Sequence, residues 1–281
     1  MSDRKFGTWE AAVAWLLAQP VHRELCSACY YDRPPLAAAQ RYANSDEWGA
    51  LRALMPSIRG AALDVGSGMG VAAFALAADG WDTHALEPDP SDLVGAGAIR
   101  QLASQGQVSI KVVQEWGESL PFAADTFQLV HARQVLHHAR ELGQFCKELF
   151  RVLAPGGLLL ATREHVISDA SQLPAFLDRH ALHKLYGGES AFTLDAYLAA
   201  LTGAGFKISR TLGPFESVIN YAPFSEDGLC DAIAKQAGRL PGGAALAQLL
   251  LAKPWRRSGL ALLSKLDRRP GRLYSFVATK P

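Results

Sequence analysis

Two stretches of the chain concentrate side chains that can accept or pass a proton. ARQVLHHA, residues 132–139, sets Arg133 and Gln134 just ahead of His137 and His138. TREHVIS, residues 162–168, carries Glu164 and His165, and FLDRHALHKLYGGESAF, residues 176–192, adds His180, His183, Lys184, Tyr186 and Glu189. An imidazole or carboxylate set against a substrate hydroxyl contributes roughly 10²–10⁴ in rate as a general base. His165 ranks first for that role because it follows an apolar run; His137 ranks second and His183 third. The competing reading of any one of these histidines is a hydrogen-bonded surface or half-buried side chain. A metal held by His165, His180 and His183 is the weaker alternative, and no metal is expected.

A second kind of chemistry is written in LDVGSGMG, residues 63–70, where Gly66, Gly68 and Gly70 follow an apolar run. Glycines at a strand-to-helix corner allow positive φ and let a ligand touch the backbone. The helix behind offers free N–H groups to an anionic ligand group. A phosphate loop needs Lys-Ser/Thr after its last glycine; Val71-Ala72 stands there instead, which argues against a nucleoside triphosphatase. A dinucleotide fold uses G-x-G-x-x-G, with an acid about 20 residues on for the ribose hydroxyls. Here the spacing is G-x-G-x-G, and Glu87 closes the next apolar run, where a carboxylate suits ribose in either kind of fold. Asp64 discriminates between the two: beside a pyrophosphate it would repel, whereas it suits a cationic ligand such as an amino-acid ammonium.

These residues must be positioned by regular elements, and the apolar pattern supplies them. Trp9, Val13, Leu16 and Leu17 recur at helical spacing and stop at Gln19-Pro20. After YYDRPPL, residues 30–36, a second helix carries Tyr42, Trp48, Leu51 and Leu54, and residues 56–60 form a linker. From residue 61, short apolar runs alternate with helical stretches, the mark of a parallel α/β sheet. Strands are expected at 61–65, 82–86, 109–113, 127–132, 158–163, 206–212 and 273–278. Helices are expected at 71–78, 93–104 and 141–153, at a Thr193-capped stretch ending at Leu201, and over most of 224–268. His137 and His138 are expected to start the helix after the fourth strand.

In order and spacing, LDVGSGMG, ESLPFAADTFQLVHARQVLHHA (residues 118–139) and RVLAPGGLLLATRE (residues 151–164) resemble the class I S-adenosylmethionine-dependent methyltransferases, in their small-molecule, type 11-like branch. The resemblance is strong over residues 60–163 and weaker through the GAGF turn and the last strand. It implies a doubly wound, Rossmann-like, seven-stranded, mostly parallel α/β sheet with helices on both faces. It also implies an N-terminal helical lid over 1–58, a cofactor-binding core over 59–163, and an acceptor-binding and C-terminal part over 164–281, with a helical insertion before the last strand. Tyr30, Tyr31 and Arg41 fall in the lid segment.

The implied cofactor is S-adenosyl-L-methionine. Gly66, Ser67 and Gly68 match the loop that holds its methionine part, Asp64 the acid that orients that loop or meets the ammonium, and Glu87 the acid on the ribose. One departure stands at QEWGESLPF: where the family often has an acid for the adenine amine, this chain has Trp116. Trp116 could stack on the adenine, with Glu115, Glu118 or the Gly117 backbone taking the amine. Arg133 and Gln134, beyond the end of a strand, fall near the methionine or the reaction centre. The expected reaction is methyl transfer to a small-molecule acceptor, an oxygen of a hydroxylated metabolite or saccharide. The alternatives are a cofactor-binding protein without turnover and a nicotinamide-dependent oxidoreductase.

Composition limits the partners. A net charge of +1 and pI near 7.7 argue against nucleic acid. Late basic residues, Arg256 to Arg272, read as a solvated helical face, with an anionic substrate or membrane surface as the alternative. Cys26 and Cys29 form a single C-x-x-C without the further ligands a zinc site needs. The longest late apolar stretch, residues 244–252, falls short of the ~20 residues of a membrane span. A cytoplasmic location is expected from this cysteine usage and the lack of a secretion signal.

Overall fold

The strands that carry the glycine loop and the histidines lie side by side in one sheet. In a computed structural model, which describes residues 5–281, they are β1 (Ala61–Val65), β2 (Asp82–Leu86), β3 (Ile110–Val113), β4 (Phe127–Arg133), β5 (Leu153–Ile167), β6 (Phe192–Thr193), β7 (Lys207–Leu212) and β8 (Arg272–Thr279). Residues 1–4 of the expected N-terminal segment lie outside the described residues. The sheet order is β3-β2-β1-β4-β5-β8-β7; the first five strands are parallel, and β8 runs antiparallel to both β5 and β7. The chain builds outward from β1 to β3 and then crosses to β4. That reversal opens a crevice beyond the carboxyl ends of β1 and β4, where such sheets bind ligands.

The mostly parallel sheet with helices on both faces is the expected fold class. It differs in having an eighth, two-residue strand, β6, which pairs Phe192 and Thr193 with Val166 and Ile167 at the far end of β5. This pairing returns the polar 176–192 segment to the sheet. β5 is longer than expected at both ends: Leu153 pairs with Phe127 of β4, and β8 and β6 give Glu164–Ile167 backbone partners.

Helix Leu142–Val152 covers one face. Its buried residues Leu142, Phe145, Cys146, Leu149 and Val152 form a single stripe at helical spacing. They pack with Leu159, Ala161, Tyr197 and Phe206, and each fully buried large side chain contributes about 1.5–3 kcal/mol. Helix Leu194–Gly203 joins them, capped by the Thr193 hydroxyl accepting from the Ala196 N–H as expected. On the other face, Tyr42, Trp48 and Leu51 of the N-terminal helices pack with Ala72, Leu129, Leu158 and Leu160. The first helix, Trp9–Leu17, reaches further: Ala12, Leu16 and Cys26 cluster with Leu182, Leu185 and Tyr186. Helices Glu226–Ala237, Gly243–Leu250 and Arg256–Leu266 form the insertion before β8, with a small core around Leu229, Ala247 and Leu260.

One irregularity of β5 decides where its functional side chains point. Against β8, Ala161 pairs with Phe276 but Glu164 pairs with Tyr274, so β5 carries one extra residue, and Arg163 has φ +60°. Up to that bulge, Leu159 and Ala161 face the helix 142–152 side; beyond it, Val166 does. The extra residue therefore moves Glu164 onto this face, where strict alternation would have placed Arg163.

Candidate active site

The glycine loop turns sharply at the end of β1. Gly66 and Gly68 have φ of +64° and +55°. A Cβ on Gly66 would lie 2.4 Å from Val135 Cγ2, whereas one on Gly68 would meet nothing within 4 Å. Gly66 is thus a packing requirement, and Gly68 faces open space. The Ser67 hydroxyl donates to the Asp64 carbonyl (2.9 Å) and fixes the turn. Glu87 braces the loop: its Oε2 accepts from the Gly68 N–H at 2.7 Å, and its Oε1 from the Asp89 N–H at 3.0 Å. Burial pushes the Glu87 carboxyl up to about 7, against the pull of those two N–H groups.

Below the loop, Asp64 Oδ1 lies 2.8 Å from His131 Nδ1, both side chains buried. Asp64 Oδ2 is buried without a hydrogen-bond partner. An unpaired buried carboxylate oxygen is costly, so this atom asks for a donor. Together with the open side of Gly68, it fits a ligand that brings an ammonium to the loop.

A second set of groups meets at the ends of β4 and β5. The Glu164 carboxylate accepts three backbone N–H groups, from Val135, Leu136 and His137, at 3.0–3.1 Å. It also lies 2.7 Å from His137 Nδ1. These bonds hold Leu136–His138 as a single 3-10 turn. The two histidines therefore do not start the following helix, which begins only at Leu142. His137 Nε2 faces Glu189 Oε2 at 3.3 Å, and Glu189 is positioned by the Gly187-Gly188 turn, whose Gly188 carbonyl lies 2.8 Å from His138 Nδ1. His165 sits ring-to-ring with His137, centroids 4.7 Å apart, and its Nδ1 lies 3.1 Å from the Gly271 carbonyl. Burial alone would depress His137, but Glu164 and Glu189 raise it to about 9. Burial, reinforced by His137, drives His165 down to about 3. Burial opposes ionisation of Glu189, yet His137 and His138 hold it at about 2.

The remaining expected residues are distributed as follows. Trp116 is 61% exposed, with the Arg140 guanidinium over its ring at 5.7 Å. Gly117 packs so closely on Phe145 that a Cβ would sit 2.4 Å from its ring. Glu118 accepts from the Arg140 N–H at 3.0 Å. Gln134, at φ +56°, donates its N–H to the Thr162 carbonyl. Arg133 commits its guanidinium to Glu47, with Nε and Nη2 donating at 2.7 and 3.1 Å, and lies over the rings of Tyr30 and Tyr42. His183 sits on the short helix Ala181–Leu185, its Nδ1 buried without a partner. Of the three expected proton carriers, the structure brings His137 and His165 together.

A family profile described as a methyltransferase domain matches residues 63–161, from β1 into β5. A methyltransferase of Mycobacterium marinum without an assigned substrate is 37% identical over 124 residues, 44% of this chain and 46% of its own. A similar protein of Mycobacterium leprae is 32% identical over 143 residues, 49% of this chain and 51% of its own. The matched region spans about half the length of these relatives. A structure from Galdieria sulphuraria, assigned as a sarcosine dimethylglycine methyltransferase, superposes with a TM-score of 0.58 at 19% identity, covering 96% of this chain and 98% of its own. Residues 63–161 thus match the methyltransferase-domain family, and the whole chain shares the fold of structures assigned as methyltransferases.

Within this methyltransferase fold, the structural likenesses speak for architecture alone. Haemonchus contortus phosphoethanolamine N-methyltransferase 2, solved with phosphomonomethylethanolamine and S-adenosylhomocysteine, aligns at a TM-score of 0.54 and 16% identity over 91% of this chain and 60% of its own. A [4+2]-cyclase, SpnF, aligns equally well, at 0.54 and 20% identity over 84% and 80% of the two chains. This chain's own residues must therefore carry any statement about its reaction.

Glu47 escaped the sequence reading, and so did the partner of Glu189. Glu47, at the start of helix Asp46–Arg52, carried only the ordinary signal of an acid in a first helical turn, yet it is buried against Arg133. Glu189 was visible as one polar residue in a polar stretch; nothing in the sequence joined it to His137.

Proposed function

We propose that this protein transfers a methyl group from S-adenosylmethionine to an oxygen of a hydroxylated small molecule. One observation carries the proposal. Val135 lies against Gly66 of the glycine loop, and two residues later His137 enters the cluster with Glu164, His165 and Glu189. A loop suited to the methionine end of the cofactor and a set of proton-handling groups are thus joined by one short turn.

The cofactor supplies a methyl group already activated on a cationic sulfur. Asp64 Oδ2 receives its ammonium, Gly66, Ser67 and Gly68 line the methionine chain, and Glu87 releases the Gly68 N–H to grip the ribose hydroxyls. Trp116, Gly117 and Glu118 stand at the adenine end. Arg133 and Gln134 act from behind, fixing the end of β4. The helices before residue 58 close over the site with the 176–192 segment, excluding water. The acceptor hydroxyl binds beside His137, His165 and Glu189; as its oxygen bonds to the methyl carbon, the carbon–sulfur bond breaks and the hydroxyl proton passes to this cluster. His183 is the third candidate for that transfer. Orienting the two reactants can supply much of the rate, since effective molarities reach about 10⁵–10⁸ M.

The test is turnover of methyl-labelled S-adenosylmethionine with a panel of sugars, phenols and aliphatic alcohols, read as S-adenosylhomocysteine release and as the labelled product. An O-methyl product, with kcat reduced roughly 10²–10⁴-fold in Glu189→Gln, is expected. A product methylated on nitrogen or carbon would overturn the acceptor assignment. Cofactor binding without turnover on any acceptor would favour the reading of a binding protein.

A further inference from the structure

The cluster at the ends of β4 and β5 has the layout of a metal centre. One ligand atom from each of His137, His165 and Glu189 lies within 4.8 Å of the other two. We propose that these three side chains bind a divalent first-row transition ion of the zinc class. The ligand set, two imidazoles and one carboxylate, is one that zinc-type ions take, with a position left open for an exogenous oxygen.

Three features beyond proximity support the site. First, both histidines have their Nδ1 occupied by a fixed acceptor: Glu164 Oε2 at 2.7 Å for His137 and the Gly271 carbonyl at 3.1 Å for His165. Metal-binding histidines are oriented in this way, by a carboxylate or carbonyl on the far nitrogen. Each ring is left with Nε2 as its free ligand atom. Second, His137 Nε2 and Glu189 Oε2 are 3.3 Å apart. Two ligands at about 2.0–2.1 Å from one tetrahedral ion stand about 3.3–3.4 Å from each other. Third, two carboxylates, Glu164 and Glu189, flank one imidazole ring, all little exposed to solvent. A dication seated between the imidazole and Glu189 balances both carboxylate charges. His138 and His180 also approach Glu189, each at 3.9 Å.

Metal binding stands apart from the proposed reaction, but its role rests on it. An ion in this position would take the acceptor oxygen as its fourth ligand and ease loss of the hydroxyl proton. Glu164 is then a positioning residue, acting through His137.

The full-length protein, stripped with a chelator and dialysed, is titrated with Zn²⁺ and separately with Co²⁺. One equivalent of Zn²⁺ per chain is expected, together with an intense visible spectrum for the Co²⁺ form. Uptake should be lost in His165→Ala and in the isosteric Glu189→Gln, and weakened roughly 10–100-fold in Glu164→Gln. Cys26→Ser and Cys29→Ser should bind as the parent does. Wild-type uptake by Glu189→Gln, loss of uptake in the cysteine variants, or a Co²⁺ spectrum no stronger than that of the aqueous ion would each overturn the site. S-adenosylhomocysteine binding is measured on the same metal-free sample. Its absence would count against the methyltransferase reading and leave the metal assignment to the titration.

Discussion

Arg133 and Glu47 form a two-pronged ion pair between the end of β4 and the N-terminal helices, with Nε and Nη2 donating at 2.7 and 3.1 Å. Glu47 is 1% exposed, and Arg163 adds a second cation at 3.9 Å. Removing one partner of a buried pair costs about 3–5 kcal/mol, because the other is left charged and dry. Glu47→Ala should therefore lower unfolding free energy in urea by about that amount at pH 7. Burial would raise the Glu47 carboxyl, but Arg133 and Arg163 hold it below its ordinary value of 4.5. The pair's stabilisation is thus present above about pH 4.5 and is lost as pH falls through the depressed value. A loss below 1 kcal/mol in Glu47→Ala would show that the pair does not hold the helices down.

If Glu87 holds the ribose as proposed, it sets a pH dependence for cofactor binding. Burial holds its carboxyl at about 7, and only the ionised form would accept both ribose hydroxyls. Affinity for S-adenosylhomocysteine should rise with pH up to about 7, by as much as tenfold per unit, and level off above. Calorimetry across pH 5.5–8.5 (about three units) checks this. Glu87→Gln should flatten the slope; a slope that survives the substitution assigns it to another group.

Gly66 and Gly68 should respond differently to alanine. At Gly66 a left-handed backbone and the contact with Val135 both oppose a side chain, so Gly66→Ala should lose about 2–4 kcal/mol of stability. At Gly68 only the backbone strain applies, about 1–2 kcal/mol, yet the new methyl projects into the open side of the loop. Gly68→Ala should fold and bind S-adenosylhomocysteine at least tenfold more weakly, about 1.4 kcal/mol. Parental affinity in Gly68→Ala would move the ligand away from this loop.

Glu164 holds the turn after β4 in place. It satisfies three backbone N–H groups and one imidazole. Glu164→Ala strands all four, and a loss of about 3–5 kcal/mol is expected in urea unfolding. Glu164→Gln keeps an acceptor oxygen and should lose less. Equal stabilities for the two variants would contradict the capping role.

Much of this was legible in the sequence where a signal is local. The stripe 142–152, the Thr193 cap and the corner after β1 each depend on residues within a turn or two of one another. What was not legible depends on partners brought together by the sheet. The bulge at Arg163, which turns Glu164 toward His137, is a register shift in the pairing of β5 with β8, a strand more than 100 residues later in the chain. The Glu47 pair, the return of Glu189 and the added strand β6 are equally non-local. His137 read as the start of a helix because the Glu164 carboxylate that captures its N–H comes from the next strand.

The central claim is that the loop from Asp64 to Gly68, with Glu87, seats S-adenosylmethionine. Isothermal titration with S-adenosylhomocysteine tests it most directly. One-to-one binding is predicted, weakened roughly 10–100-fold in Glu87→Ala by loss of charge-assisted hydrogen bonds. No binding by the parent, or binding that Glu87→Ala and Gly68→Ala leave unchanged, would contradict the account.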